Sequence, residues 1–207
     1  MTLMQKMMTV AMAALTVAGC ASVVAETDYG HVALDLIKQD FRSKGPATLE
    51  RITAQDEAQQ LCSAFPTERS NEVNARIEAA QLKTIEFPAD GKYIGKWEEG
   101  EKVAQNGRGM QSSDAVGAPN GGNCYACHQI SKQEISFGNI GPSLYQYGKV
   151  RGSSDEIVKY TWAKIYNAQA YTACSNMPRF GHNKVLTEAQ IKDVMALLLD
   201  PTSPVNK

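Results

Sequence analysis

The chain has 207 residues, 43% of them hydrophobic and 7% aromatic, which is enough to bury a core and suits one globular domain with an appendage. Its 21 basic and 22 acidic residues leave a net charge of -1 with no Lys/Arg run, so charge indicates neither a nucleic-acid partner nor an anionic membrane surface.

The first 25 residues read as an export signal. Lys6 supplies a charged start, Met7 to Val17 form an apolar run too short to span a bilayer, and small residues follow. Val23-Val24-Ala25 fits cleavage after Ala25, the preferred reading, and places the protein in the periplasm. Val17-Ala18-Gly19-Cys20 resembles a lipobox, so membrane attachment is expected only if Cys20 is acylated.

Residues 26–92 read as a helical extension. Leu34, Ile37 and Phe41, then Ala58, Leu61, Cys62 and Phe65, then Val73, Ile77 and Ala80 recur at helical spacing and predict three amphipathic helices. Pro46 and Pro66 break them, and Phe87-Pro88-Ala89-Asp90-Gly91 reads as a turn.

A second domain is expected over 93–207. Trp97, Gly100 and Ala104 share one helical face, followed by a Gly-rich segment, 106–123, without periodicity. Then comes Cys124-Tyr125-Ala126-Cys127-His128, a C-x-x-C-H pattern. Its spacing lets one turn present two thiols to the vinyl groups of a haem and place the imidazole beneath the iron. A zinc site or a thioredoxin-like pair would need other features: the only other histidines are His31 and His182, and no βαβ alternation surrounds Cys124.

Downstream, Gly141-Pro142-Ser143-Leu144 and Met177-Pro178-Arg179-Phe180 resemble segments of class I cytochromes c. In those proteins the proline carbonyl accepts a hydrogen bond from the ligating histidine, and the methionine is the second axial ligand. The resemblance implies axial ligation by His128 and Met177, with Pro142 behind the histidine. Met195 reads as core, Met110 has no supporting context, and His182 would give a bis-histidine haem of lower potential. Ser153 to Glu156 and Thr187 to Gln190 have capping-box spacing, and Ile191, Val194, Met195 and Leu198 line one face of a last helix stopped at Asp200-Pro201. The expected fold is all-α, a class I cytochrome c-like domain carrying one covalently attached haem c. Outside the cytoplasm Cys62 and Cys174 read as a disulfide, the alternative being Cys174 as an axial thiolate.

Gly-Gly-Asn-Cys-Tyr-Ala-Cys-His-Gln and Asn-Met-Pro-Arg-Phe-Gly-His together resemble the SoxX family, monohaem subunits of the SoxAX cytochromes of bacterial sulfur oxidation. The resemblance implies a heterodimer with a SoxA-like dihaem or monohaem cytochrome. Such a complex, an L-cysteine S-thiosulfotransferase, joins thiosulfate oxidatively to a cysteine of the SoxYZ carrier. The bond-forming site belongs to SoxA, so this chain would have no catalytic residue. Its haem would pass electrons to a soluble cytochrome c. A stand-alone electron carrier, and a haem enzyme with Cys174 on the iron, are the alternatives.

Overall fold

A computed structural model describes residues 29–207, so the export signal and both processing readings, at Ala25 and Cys20, lie outside the described residues. The described residues divide into two units after Phe41, the second being Arg42–Lys207.

In the first unit, α1 (Tyr29–Asp40) is amphipathic but has no fully buried residue. Leu34 and Ile37 are its half-buried positions, as their spacing predicts, while Tyr29, Val32 and Leu36 are exposed. Phe41 falls just beyond the helix, its N–H still donating to the Ile37 carbonyl at 3.0 Å.

The second unit is helical: α2 (Glu50–Thr53), α3 (Glu57–Ala64), α4 (Asn71–Leu82), α5 (Trp97–Gln105), α6 (Tyr147–Arg151), α7 (Asp155–Tyr166) and α8 (Glu188–Leu199). Among the described residues there is no strand, only an isolated bridge between Lys44 and Ala47. The fold is all-α. The short α2 was not legible in the periodicity. The cap of α7 is also one residue later than its spacing suggests: Ser154, not Ser153, is extended and accepts from the Ile157 N–H. The Thr187/Gln190 capping box of α8 forms as read.

The core is where α5 meets α8. A Cβ on Gly100 would lie 2.1 Å from the Asp193 carbonyl oxygen and 3.0 Å from Leu197 Cβ, so only glycine lets the two backbones approach this closely. Asp193 Oδ1 also accepts from the Lys96 N–H at 2.8 Å, satisfying a donor at the start of α5 that no intrahelical carbonyl reaches. Around the crossing Val103, Ile165, Ile191, Met195 and Leu198 are buried, which places Met195 in the core as its helical spacing implied.

Residues 42–92 belong to the same unit as the helices that follow. Trp162, fully buried, donates its Nε1–H to the Glu86 carbonyl at 2.8 Å and stacks edge-on against Tyr93, with ring centroids 5.6 Å apart. The Gly-rich segment is held in the same way. Asn120 donates to the Val185 carbonyl at 2.9 Å, and the Asn120 carbonyl accepts from Gln190 at 2.7 Å. Cys62 on α3 and Cys174 form a disulfide across 112 residues of chain.

Closing a loop of 112 residues removes conformational freedom from the unfolded chain worth about 4 to 5 kcal/mol in the chain-entropy picture. Replacing both Cys62 and Cys174 by Ser is therefore expected to lower stability by about 2 to 5 kcal/mol and the melting temperature by roughly 5 to 15 °C. Thermal denaturation of the oxidised protein and the double variant checks this, and coincident curves would refute it.

Candidate functional site

The C-x-x-C-H segment is a tight turn whose every exit is pinned. Cys124–Ala126 form one turn of 3-10 helix, entered through Asn123 in the left-handed region at φ 48°. The Cys124 carbonyl accepts from the N–H groups of Cys127 at 3.1 Å and His128 at 2.9 Å, which turns both thiol-bearing residues and the imidazole around one point. The turn is tied back to α5 twice. Val103 O accepts from the Gly122 N–H at 2.8 Å, and the buried Tyr125 hydroxyl donates to the Glu101 carboxylate at 3.0 Å while sitting 2.9 Å from Ser131 Oγ. Burial pushes the Tyr125 phenol up to about 12, so it stays a donor; burial likewise holds the Glu101 carboxyl above its usual range, against the Tyr125 hydrogen bond.

Cys124 and Cys127 are free thiols in a chain whose other described cysteines are paired. Burial pushes the Cys124 thiol up to about 12.

His128 is oriented by two contacts. Its Nδ1 lies 2.7 Å from the Pro142 carbonyl oxygen, which can only accept, so Nδ1 carries the proton and the Nε2 lone pair is left for a ligand. Gly141 lies against the ring: a Cβ there would be 2.2 Å from His128 Cε1. The Gly141 N–H in turn donates to the Cys127 carbonyl at 2.8 Å, closing a short loop around the imidazole.

Met177 is half-buried against the core. The structure assigns other partners to its rivals. The Met110 sulfur accepts from Asn120 Nδ2 at 3.3 Å. Cys174 cannot be a thiolate ligand while its sulfur is bonded to Cys62, which removes the alternative of a Cys174-ligated haem enzyme. His182 Nε2 lies 3.8 Å from Asp56 Oδ2, in a cluster the sequence reading missed. There Arg179, 5% exposed, donates from Nη1 to Asp56 Oδ2 at 2.6 Å and to Gln81 Oε1 at 3.0 Å. Asp56 Oδ1 meanwhile caps α3 by accepting from the Gln59 N–H at 2.9 Å. The Asp56-to-Gln59 capping spacing was the legible signal for one partner; nothing local marks the other.

A crevice of about 620 Å³ opens between Thr84, Glu86, Trp162, Tyr166, His182 and Leu186. Cys124, Cys127, His128 and Met177 are not among its lining residues.

A family model described as cytochrome c matches residues 97–200. The chain belongs to the cytochrome c family. It is also 38% identical over 167 residues, 80% of this chain and 79% of the relative, to an uncharacterized lipoprotein of Aquifex aeolicus (strain VF5). The cofactor of this cytochrome is a covalently attached haem c, and its chemistry is one-electron oxidation and reduction of iron. The residues fit such a group: two unpaired thiols, an imidazole with Nε2 freed by its partner on Nδ1, and glycines at 122 and 141 where a side chain would crowd Cys124 Sγ and the imidazole.

Because the Gly141 site has no room for a methyl group, Gly141→Ala is expected to displace the imidazole from Pro142 and cut the yield of haem-loaded protein roughly tenfold. Haem stain against total protein measures this, and a normal yield would remove the cradle from the account.

The acid cluster has a pH signature. Burial, with Arg179 adding to it, lowers the His182 pKa from 6.5 against the opposing pull of Asp56 and Glu86. Burial raises the Asp56 carboxyl, but the Gln59 N–H and Arg179 outweigh it and hold it below 3.8. As pH falls below 6.5 the unfolded chain protonates its histidine first, so stability declines until the lower folded-state pKa is passed. The Asp56 contribution is present above 3.8 and is lost as pH falls through its own folded-state value. Urea midpoints should therefore drop as pH falls below 6.5, and His182→Gln should flatten that drop. Equal slopes would count against it.

Proposed function

We propose that this chain is the electron-transfer subunit of a SoxAX-type complex. Cys124 and Cys127 hold the haem, and His128 and Met177 are its axial ligands, with Pro142 fixing the histidine. The observation that supports the relay role is the Pro142 hydrogen bond, which leaves the His128 Nε2 lone pair available to iron. With a thioether supplied from Met177 opposite it, no coordination position is left for a substrate, and a neutral soft ligand favours the ferrous state. Such a haem relays electrons and makes no bonds.

The narrower assignment is supported by the Asn-Cys-Tyr-Ala-Cys-His-Gln and Asn-Met-Pro-Arg-Phe-Gly-His strings. In the proposed reaction a carrier cysteine thiol and thiosulfate form an S–S bond on the partner subunit, releasing one proton and two electrons. This chain takes the electrons one at a time and delivers them to a soluble cytochrome c. Beside the site, Ile135 at 90% exposed, Ile140 at 74% and Phe137 at 43% put apolar side chains in water immediately after the motif, as a surface that docks a protein partner does. The Aquifex relative is named a lipoprotein, which supports acylation of Cys20 over cleavage after Ala25, and an acylated Cys20 would tether the exported chain to a membrane.

Affinity purification from the cell envelope, with haem counting, mass analysis of the N-terminal peptide and thiosulfate-dependent haem reduction, tests the reading. It expects a second haem-bearing chain, a lipidated Cys20, and reduction of this haem only when the partner and carrier are present. Recovery of a single chain would make it a stand-alone carrier, and reduction by this chain alone would contradict the division of labour.

A further inference from the structure

A methionine is a weak hold on a metal. Its thioether is neutral and its side chain has several rotatable bonds, so how long the sulfur stays in place depends on how firmly its backbone is held. Met177 is bracketed on both sides. Three residues before it, Cys174 adopts the left-handed region at φ 57° and is bonded to Cys62 on α3, and the neighbouring Ala173 N–H donates to Glu78 of α4 at 3.0 Å. Two residues after it, the Arg179 guanidinium is buried between Asp56 and Gln81. Gln81 Oε1 is shared with Asn167, which has no exposed surface and donates to it at 2.8 Å from the end of α7. The Arg179 carbonyl also accepts from the Asn183 N–H at 2.9 Å, so its backbone is anchored as well.

We propose that Arg179 is a positioning residue for the axial thioether: by gripping Asp56 and Gln81 it holds the Met177 segment against α3 and α4 and keeps the sulfur on the iron. The proposal rests on the reading of Met177 as an axial ligand. Both partners of Arg179 lie outside residues 97–200, so the extension adds this clamp to the haem domain. A buried cation is tolerated only with its partners in place, so the pair closes the segment in one arrangement and does not merely add stability. An exposed arginine here would constrain nothing.

The test uses the purified, haem-loaded protein with its disulfide intact. Two signals report the thioether: the methionine-to-iron charge-transfer band of the ferric form, and the rate at which carbon monoxide binds the ferrous form, which is limited by departure of the sulfur. Arg179→Gln is expected to weaken the band and to speed carbon monoxide binding about tenfold, the change that loss of a charge-assisted hydrogen bond produces in an opening equilibrium. Arg179→Lys should restore most of the original rate, and Asp56→Asn should fall between. Wild-type band and rate in folded Arg179→Gln, even with a lower melting temperature, would overturn the proposal; where that variant does not fold, wild-type values in Asp56→Asn would do so. Met177→Ala separates the two levels. If the band survives there, the ligand is another residue; if it is lost there while Arg179→Gln behaves as wild type, only the clamp is wrong.

Discussion

The described structure depends on how closely α5 and α8 approach at Gly100. With no side chain at that position, the α8 backbone at Asp193 lies against α5, and the Asp193 carboxylate also accepts from the Lys96 N–H at the start of α5. From that fixed crossing the Val103 carbonyl and Glu101 carboxylate hold the two sides of the C-x-x-C-H turn. The turn then sets Cys127, whose carbonyl holds Gly141, whose neighbour Pro142 orients the imidazole. A ring nitrogen is thus aimed through a chain of backbone bonds, not through a flexible side chain alone. This is the pre-organisation a metal ligand requires, since every rotor left free weakens the bond.

The segment proposed to supply the opposite ligand is supported differently. The Met177 segment has no helix of its own and is carried by contacts with the extension: a disulfide, a buried ion pair and an amide relay through Gln81 and Asn167. Ion pairs of this kind seldom add much net stability, because desolvating two charges offsets their attraction. They do select one arrangement, since any other leaves a charge buried without a partner. Residues 42–92 are therefore part of the haem-bearing unit and share the task of shaping it, which explains why a c-type cytochrome has a long helical preface.

This arrangement suits a relay. In the proposed assignment His128 and Met177 would each reach the iron from a separately supported segment, so exchange of an electron would require little movement. The apolar side chains of Ile135 and Ile140 lie in the segment that follows His128. A partner seated on that segment would be close to the site, and nearness of donor and acceptor is the main condition for electron transfer between proteins.

Much of the site was legible because its chemistry is encoded locally. C-x-x-C-H names the thiols and the imidazole within five residues, and capping spacing at Thr187 and apolar periodicity in α8 mark the last helix. The all-α class and the placement of Met195 in the core follow from periodicity in the same way. What the sequence did not reveal were contacts between residues far apart in the chain. Arg179 looked like part of a methionine motif, yet its partners are 123 and 98 residues away. Gly141 looked like half of a Gly-Pro turn, yet its role is to leave space for a ring. Residue type and spacing along one segment determined the cofactor and the helices, because thioether attachment and helical hydrogen bonding are short-range. The contacts of Arg179 beside the methionine segment, the cradle of the imidazole and the joining of residues 42–92 to the helices that follow were decided only in three dimensions, where burial and close packing depend on which distant surfaces meet.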